Sequence, residues 1–283
     1  MEVIRAETAG FCMGVALALR KLDEVLERDE TGAAVFTLGP IIHNPQVLAE
    51  YASMGVSQAK TPDEIPENGI VIIRAHGVPK SVYAALRVKK ARIVDATCPK
   101  VRKAQTLIAK EANQGKTLLL YGEEDHPEVK GLLSHAINGA FVFDSLEEAR
   151  GLTLDTSRTY FLAAQTTQDA QEFALIVEYF KDILGKEMNT LATICDATMR
   201  RQEEAVHLAS QVDHMVVVGG FDSGNTRRLV QVVSELGAPC VHVEVAQELP
   251  LELLRPKRRI GLTAGASTPK KIIESVQTAL ESL

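Results

Sequence analysis

The sequence predicts an α/β protein made of three related units, each containing a parallel sheet. Cys12, Cys98 and Cys195 each begin a copy of one pattern: an amphipathic helix, an apolar strand ending in glycine, and a polar turn. Further along each copy, a second apolar run is typical of a buried parallel strand. Because strands alternate with helices, we expect parallel sheets joined by right-handed crossovers. The repeat also predicts a pseudo-threefold arrangement in which the three thiols meet near the axis.

Helices are predicted where apolar residues recur with the helical period and a capping or breaking residue ends the pattern. Gly237, for example, has the position of a C-cap for the helix before it. In chain order, the predicted helices cover residues 15–28, 45–54, 81–88, 103–114, 129–136, 169–184, 201–210, 227–236 and 269–283.

Strands are predicted at short apolar runs bounded by glycine, proline or polar turn residues. They cover residues 35–39, 70–74, 93–95, 118–122, 141–143, 160–163, 193–194, 216–219, 240–245 and 260–263, with a weaker match near residue 56. The third unit runs out of chain before its last strand, and residues 2–5 match the missing strand. The predicted domains are therefore residues 12–97, residues 98–194, and residues 195–283 together with residues 1–11.

The composition argues against several classes of protein. The 283 residues carry a net charge of −6, which argues against nucleic acid or an anionic membrane as the main partner. Glu2, Arg5 and Glu7 leave no apolar signal region at the start, and no apolar run approaches the ~20 residues that span a bilayer. The four cysteines include no CxxC pair, which argues against a zinc ribbon or a disulfide scaffold. We therefore expect a cytoplasmic protein.

Polar side chains follow the predicted strands, at the sheet edge where open parallel sheets bind ligands. Imidazole, hydroxyl and amide donors near helix N-termini suit a phosphate or diphosphate group. Neither the P-loop motif nor a strand-to-helix GxGxxG is present, so a nucleotide cradle is not supported. The candidate donors are His43, His76, His126, Ser223, Asn225, Ser267 and Thr268.

Glu128 is the carboxylate that shares one of these turns with a histidine, His126. Two interpretations follow from its position. Near a metal and an anionic substrate, its pKa would be raised and it could donate protons. Alternatively, it stabilises a helix N-terminus, as first-turn acids commonly do. The residues alone leave both interpretations open.

Three thiols at equivalent positions, with no fourth, predict a metal site that keeps one position open. A [4Fe–4S] cluster held by three thiolates leaves one iron free for a substrate, whereas structural zinc prefers four closed ligands. The pattern favours the cluster but does not separate it from a cysteine-rich zinc site. Cys240 lies within a strand of one unit only, so we expect it to be a core residue.

Nine short motifs, in order along nearly the whole chain, resemble those of the 4-hydroxy-3-methylbut-2-enyl diphosphate reductase family, also called the LytB family. Any one of these motifs is weak evidence, but nine in sequence identify the family. They are GFCMGV at 10–15, IHNPQV at 42–47, RAHGV at 74–78, DATCP at 95–99, HPEV at 126–129, QTT at 165–167, ICDAT at 194–198, NTRRL at 225–229 and TAGASTP at 263–269.

The resemblance implies a trefoil-like fold of three αβ domains around one [4Fe–4S] cluster, bound by Cys12, Cys98 and Cys195 and with one open iron. It implies removal of the allylic hydroxyl of (E)-4-hydroxy-3-methylbut-2-enyl diphosphate to give isopentenyl and dimethylallyl diphosphates, the last step of the non-mevalonate isoprenoid pathway. Electrons would come singly from a ferredoxin or flavodoxin.

The resemblance also implies roles for single residues. Glu128 would deliver protons, and Thr166 would order the substrate hydroxyl and its water. The residues that would hold the diphosphate are His43, His76, His126, Ser223, Asn225 and Ser267.

The chain departs from the family pattern in one turn. Gly224 stands where relatives commonly have a second serine, which removes a hydroxyl but keeps a backbone N–H. Phe221 and Asp222 replace a more usual Lys-Asn pair, which affects how finely the substrate is positioned. Two alternatives to the reductase remain at this stage: a zinc-dependent hydrolase of a phosphorylated substrate, and a non-catalytic redox sensor that carries a cluster.

Overall fold

A computed structural model describes residues 1–29 and 31–283. Its strands are short, as parallel strands between helices usually are. In chain order, the strands are β1 (Glu2–Arg5), β2 (Val35–Leu38), β3 (Ser57–Ala59), β4 (Ile70–Ile73), β5 (Arg92–Asp95), β6 (Thr117–Tyr121), β7 (Ala140–Phe143), β8 (Tyr160–Ala164), β9 (Asn189–Thr190), β10 (His214–Val218), β11 (Cys240–Val243) and β12 (Arg259–Ala264).

All nine predicted helices are present, together with the short helices α6 and α10. Three of them, α1, α4 and α8, begin earlier than predicted, directly after a cysteine, and Pro99 suits the first turn of α4. In chain order, the helices are α1 (Met13–Arg28), α2 (Pro45–Ser53), α3 (Lys80–Val88), α4 (Pro99–Ala112), α5 (Pro127–Leu133), α6 (Leu146–Arg150), α7 (Ala170–Leu184), α8 (Asp196–Ala209), α9 (Gly224–Glu235), α10 (Leu251–Leu254) and α11 (Lys270–Glu281).

The strands form three four-stranded parallel sheets, which confirms the predicted α/β class. The strand orders are β3-β2-β4-β5, β7-β6-β8-β9 and β11-β10-β12-β1. Each sheet therefore has the same order, with the second strand of the unit at one edge and the fourth at the other. In the last sheet the fourth strand is the N-terminal β1, which pairs with β12 in the register Glu2↔Arg259 and Ile4↔Gly261.

The described chain divides into two compact units. Unit 1 contains residues 1–16, 42–51 and 196–283, and with them the sheet β11-β10-β12-β1. Unit 2 contains residues 17–41 and 52–195, and with them the other two sheets. The domain boundaries predicted at residues 12, 98 and 195 stay a prediction.

Helices cover both faces of the sheet in unit 1, which explains its nearly continuous apolar strands. Along β10, Val216 and Val218 pack with residues of α11 on one face. Met215 and Val217 pack with residues of α8 and α9 on the other. This alternation follows the two-residue period of a strand, and it leaves the strand ends as the place for polar side chains.

One predicted strand is wrong. Residues 193–194 are not a strand, and the edge strand β9 ends earlier, at Thr190. The buried Thr193 hydroxyl instead accepts from the N–H of Ala164 at 2.8 Å and donates to its carbonyl at 2.7 Å. A side chain thus takes the hydrogen bonds that a longer β9 would make with β8, and the chain is free to turn toward Cys195.

Among the described residues, no helix combines the length and the apolar character needed to cross a membrane.

Candidate active site

Three of the four cysteines lie directly before the first residue of a helix. Cys12 precedes α1, Cys98 precedes α4 and Cys195 precedes α8. All three are half-buried and form no disulfide among the described residues, and the Val15 N–H lies 3.5 Å from the Cys12 sulfur. The positive end of a helix interacts favourably with a thiolate, which is the form that binds metals. The donor set of three soft sulfurs therefore fits an iron–sulfur cluster.

In unit 2, a buried carboxylate is held by a threonine from another strand end. Glu128 lies in the first turn of α5, after β6, and Thr166 follows β8. One Glu128 carboxylate oxygen accepts from the Thr166 N–H at 2.7 Å, and the other accepts from its hydroxyl at 2.9 Å. Both side chains are buried, with Glu128 only 1% exposed. This contact fixes the carboxylate and the hydroxyl relative to each other.

Burial also changes the acidity of Glu128. It raises the pKa of this carboxyl from 4.5 to about 7, although the two hydrogen bonds from Thr166 act in the opposite direction. A carboxyl with such a pKa is protonated in about half of the molecules at neutral pH, and the protonated form can donate. Its carboxylate oxygens accept hydrogen bonds from Thr166, which follows a different strand.

His126 caps the N-terminus of α5, next to this carboxyl. Its Nδ1 accepts from the Glu128 N–H at 3.1 Å, so the neutral ring carries its proton on Nε2. The rings of His76 and His126 meet edge to face, with centroids 5.2 Å apart. Two imidazoles from different strand ends are thus brought together beside Glu128.

Backbone hydrogen bonds connect these side chains to two cysteines. The Cys195 N–H donates to the Thr166 carbonyl at 3.0 Å. The Cys98 N–H donates at 2.9 Å to the carbonyl of Ala75, which precedes His76. Unit 2 therefore joins Cys98, the two histidines, the carboxyl, the threonine and Cys195 in one continuous set of contacts.

In unit 1, two serine hydroxyls lie at the N-terminus of α9. Ser223 is the N-cap, and its hydroxyl accepts from the Thr226 N–H at 3.3 Å. The hydroxyl oxygens of Ser223 and Ser267 are 3.3 Å apart, and Ser267 donates to the His43 carbonyl at 3.1 Å. These contacts bring together three of the predicted anion-binding residues at a helix N-terminus, where negative charge is favoured.

Asn225 and Cys12 meet the same loop of unit 1. The Asn225 side-chain carbonyl accepts from the Ala266 N–H at 2.9 Å, which leaves its amide group as a donor. The Cys12 N–H donates to the Ala266 carbonyl at 3.1 Å. Gly224, the first residue of α9, is buried beside them. The position with the missing serine therefore still presents a helix N-terminal N–H.

The two other departures from the family pattern, Phe221 and Asp222, and the fourth cysteine lie outside these contacts. Phe221 is exposed, and its ring packs on His242 with centroids 4.4 Å apart. Asp222 is exposed as well. Cys240 lies in β11 and packs against the core, where burial raises the pKa of its thiol to about 11. None of these three is part of the contacts described above.

The structure identifies two positioning residues that the sequence argument missed, both on α8. The buried Arg201 guanidinium donates to the carbonyls of Thr8, Ala264 and Gly10. The Glu204 carboxylate accepts from the N–H of Glu7 at 2.6 Å, and from the N–H of Thr8 at 2.9 Å. Both residues thus hold the segment that leads to Cys12. The available signal was the cation at Arg201, which shares a helix face with Ala205 and Leu208.

Asn44 is a further buried polar residue that was not assigned. Its side-chain carbonyl accepts from the Val47 N–H at 3.0 Å at the start of α2. Its amide nitrogen is buried and has no hydrogen-bond partner among residues 1–29 and 31–283. The Asn-Pro pair at a helix start was a recognisable capping signal.

Comparisons with known proteins agree with the resemblance seen in the sequence. The profile of the family described as LytB protein matches residues 3–281. A protein of Solidesulfovibrio magneticus named 4-hydroxy-3-methylbut-2-enyl diphosphate reductase is 57% identical, over 100% of both chains.

Two solved structures resemble the fold of this chain. The structure titled as the E-1-hydroxy-2-methyl-but-2-enyl-4-diphosphate reductase from Plasmodium falciparum has a TM-score of 0.92 at 26% identity, and the match covers 98% of this chain and 87% of that chain. A structure titled (E)-4-hydroxy-3-methyl-but-2-enyl diphosphate reductase, the terminal enzyme of the non-mevalonate pathway, has a TM-score of 0.71 at 38% identity over 100% and 99% of the two chains.

We predict that Arg201→Gln loosens the segment before Cys12. Losing hydrogen bonds from a buried charged group costs about 1.5–3 kcal/mol, so the free energy of unfolding should fall by about that amount. Hydrogen exchange at the amides of residues 7–10 should become faster. The matched control is Arg200→Gln, because Arg200 is exposed on the same helix. Equal exchange rates in the two variants would contradict the role given to Arg201.

Proposed function

The chain belongs to the LytB protein family, and from this premise we propose that it is a 4-hydroxy-3-methylbut-2-enyl diphosphate reductase. The family is iron–sulfur dependent. The observation that carries the proposal is the buried Glu128 carboxyl, which has a pKa of about 7 and is bound by Thr166 beside His126. A reductive dehydroxylation needs such a proton donor. Neither a zinc-dependent hydrolase nor a redox sensor accounts for relatives that are named reductases over their whole length.

The proposed reaction removes the allylic hydroxyl of (E)-4-hydroxy-3-methylbut-2-enyl diphosphate. The C–O bond breaks, two electrons and two protons are consumed, and the products are water and isopentenyl or dimethylallyl diphosphate. The protein must therefore hold the diphosphate, place the hydroxyl, and supply protons and electrons at that end. Different residues of this chain fit each of these tasks.

We infer that Cys12, Cys98 and Cys195 are the ligands of one [4Fe–4S] cluster. Their positions, each directly before a helix, support this assignment. When bound, a cluster with three protein ligands supplies electrons one at a time and an iron that acts as a Lewis acid. Cys240 lies in a strand and is excluded from the ligand set.

The diphosphate is assigned to the hydrogen-bond donors at the strand ends. In unit 1, Ser223, Asn225 and Ser267 lie at the N-terminus of α9, and the Gly224 N–H belongs to the same helix start. His43 follows in the loop before α2. Backbone N–H groups and the helix dipole there favour a multiply charged anion.

The histidines of unit 2 are assigned to the same anion. His126 accepts at Nδ1, so its Nε2–H is the group that can donate to a phosphate oxygen. The adjacent His76 ring is half-buried and can donate in the same way. Charge-assisted hydrogen bonds of this kind are stronger than neutral ones.

Glu128 and Thr166 are assigned to the hydroxyl end of the substrate. A protonated Glu128 can pass its proton to the Thr166 hydroxyl, 2.9 Å away, or directly to the departing oxygen. The Thr166 hydroxyl can rotate between the carboxyl and a substrate hydroxyl or water. The pair thereby couples substrate orientation to proton delivery.

Electrons must come from outside the chain, and we propose a ferredoxin or flavodoxin as the donor. We also place the protein in the cytoplasm. The proposed use of cysteines as metal ligands supports this location, because a reducing compartment keeps thiols available for metal binding.

The first test is iron loading of the cysteine variants together with turnover. Wild type, reconstituted without oxygen from iron and sulfide, should convert the substrate to both diphosphate products with a chemical reductant. Cys12→Ser, Cys98→Ser and Cys195→Ser should each lose the iron and the activity, whereas Cys240→Ser should keep both. Full iron content in any of the first three variants would remove that residue from the ligand set.

The second prediction concerns the pH dependence of the rate. Because the pKa of Glu128 is raised to about 7, the proton-donating form dominates below this pH and is lost as the pH rises through it. The rate at saturation should therefore fall above pH 7. Glu128→Gln should keep its iron and still bind the diphosphate, but it should turn over ~10²-fold more slowly. Its rate should no longer fall as the pH rises above 7.

The control for that variant is Glu124→Gln, because Glu124 is an exposed carboxylate in the preceding loop. It should leave the rate and its pH profile unchanged. If Glu128→Gln turned over at nearly the wild-type rate, the proton-donor role would be wrong.

The third prediction separates anchoring from chemistry. Asn225→Ala removes a diphosphate donor and should raise KM by roughly 10- to 150-fold, the equivalent of about 1.5–3 kcal/mol. Thr166→Ala should mainly lower the rate at saturation, because it acts at the reacting end. Gly224→Ser should bind equally well or slightly tighter. Steady-state kinetics with a chemical reductant would check this, and an unchanged KM for Asn225→Ala would exclude the start of α9 from the anion site.

A further inference from the structure

The positive charge of this acidic protein is concentrated on both sides of Cys98. Residues 80–110 contain nine lysines and arginines and a single acidic residue, Asp95, giving a formal charge of +8. The whole chain has a net charge of −6. The residues outside this segment therefore have a strongly negative net charge. The segment has the opposite sign, which the net charge of the whole chain conceals.

In unit 2, part of this segment lines a cavity of about 320 Å³. Lys80 and Arg87 lie two turns apart on the same face of α3, and Arg102 reaches the cavity from α4. All three are exposed. The full lining is Ile73, Val78, Lys80, Tyr83, Arg87, Asp95, Thr97, Arg102, Gln105 and His135.

The cations of this cavity are only partly neutralised. Arg102 is paired with Asp95 at 2.7 Å. Lys80 and Arg87 form no ion pair with any residue in 1–29 or 31–283, and Arg87 instead lies over the Tyr83 ring at 5.1 Å. Burial and the charge of Lys80 lower the pKa of His135 to about 4, so this ring adds no positive charge at neutral pH. Two cations thus remain for an outside anionic group.

The wall of the cavity is continuous with the loop that carries Cys98. Asp95 ends β5, and its carboxylate accepts from the N–H of Thr97, the residue before Cys98. Arg102 donates to the same carboxylate, and its N–H bonds to the Cys98 carbonyl at 2.9 Å. Two lining residues of the cavity, Asp95 and Arg102, are therefore hydrogen-bonded to the loop that carries Cys98.

We propose that this basic surface, defined by Lys80, Arg87 and Arg102, docks an acidic one-electron donor protein. The inference rests on the proposed function, because that reaction consumes two electrons that the chain does not itself supply. Transient electron-transfer complexes bury little area, so a few rim charges control their association. The cavity offers cations for carboxylates of the partner close to a proposed cluster ligand.

The test compares two electron donors in the iron-loaded enzyme at saturating substrate and low ionic strength. One donor is a reduced plant-type [2Fe–2S] ferredoxin, which is a protein, and the other is reduced methyl viologen, which is small. The double variant K80E/R87E should raise the ferredoxin concentration needed for half the maximal rate by ~10-fold or more, because charge reversal removes electrostatic steering. Its rate with methyl viologen should stay within about twofold of the wild-type rate.

The matched control is the double variant K186E/R158E, which makes the same change in charge at exposed positions of unit 2. Its half-saturating ferredoxin concentration should remain within about twofold of the wild-type value. Raising the ionic strength should increase the half-saturating ferredoxin concentration of wild type more than that of K80E/R87E, because salt screens the exposed charges.

The alternative outcomes separate the docking surface from the activity. Equal half-saturating ferredoxin concentrations in K80E/R87E and its control would overturn the docking surface but would not contradict the proposed reductase activity. A similar loss of rate with methyl viologen would also overturn it, because the cavity would then serve the active site. Binding of a single-stranded oligonucleotide that K80E/R87E abolishes, with unchanged ferredoxin kinetics, would assign the surface to nucleic acid. A wild type inactive with both donors would overturn the proposed function and the docking surface together.

Discussion

The buried carboxylate of Glu128 ties two strand ends of unit 2 together. A buried carboxylate needs hydrogen-bond donors, and Thr166 provides both its N–H and its hydroxyl. Satisfying that need draws the start of α5 and the end of β8 together. The same threonine then accepts from the N–H of Cys195, so a cysteine loop is fixed by the contact that positions the proton donor. Burial, which makes the carboxylate costly, also gives it a pKa suited to proton delivery.

The parallel sheets explain why so many polar groups lie near helix N-termini. A parallel strand runs into its crossover helix, so the turn between them carries both the strand end and the first N–H groups of the helix. His126 and Ser223 each cap such a helix with a side chain. Polar side chains and backbone N–H donors therefore accumulate at the ends of the strands, where we propose that a diphosphate binds.

The N-terminal segment shows how one helix supports distant parts of the chain. β1 completes the sheet of unit 1, and the residues after it reach Cys12 through an irregular loop. Arg201 and Glu204 of α8 satisfy the polar groups of this loop, which would otherwise be costly to bury. The helix that begins directly after Cys195 thus also holds the approach to Cys12.

The sequence by itself determined the α/β class, the helices, the place of β1 and the residues at the strand ends, because periodicity and turn chemistry are local. It also identified the family through nine short motifs. Only the tertiary structure decided that Thr193 would replace a strand, that Glu128 would face Thr166, and that Arg201 would hold residues 8 and 10. Those partners lie tens to nearly two hundred residues apart, and burial, which sets their hydrogen bonding and acidity, exists only once the chain has packed.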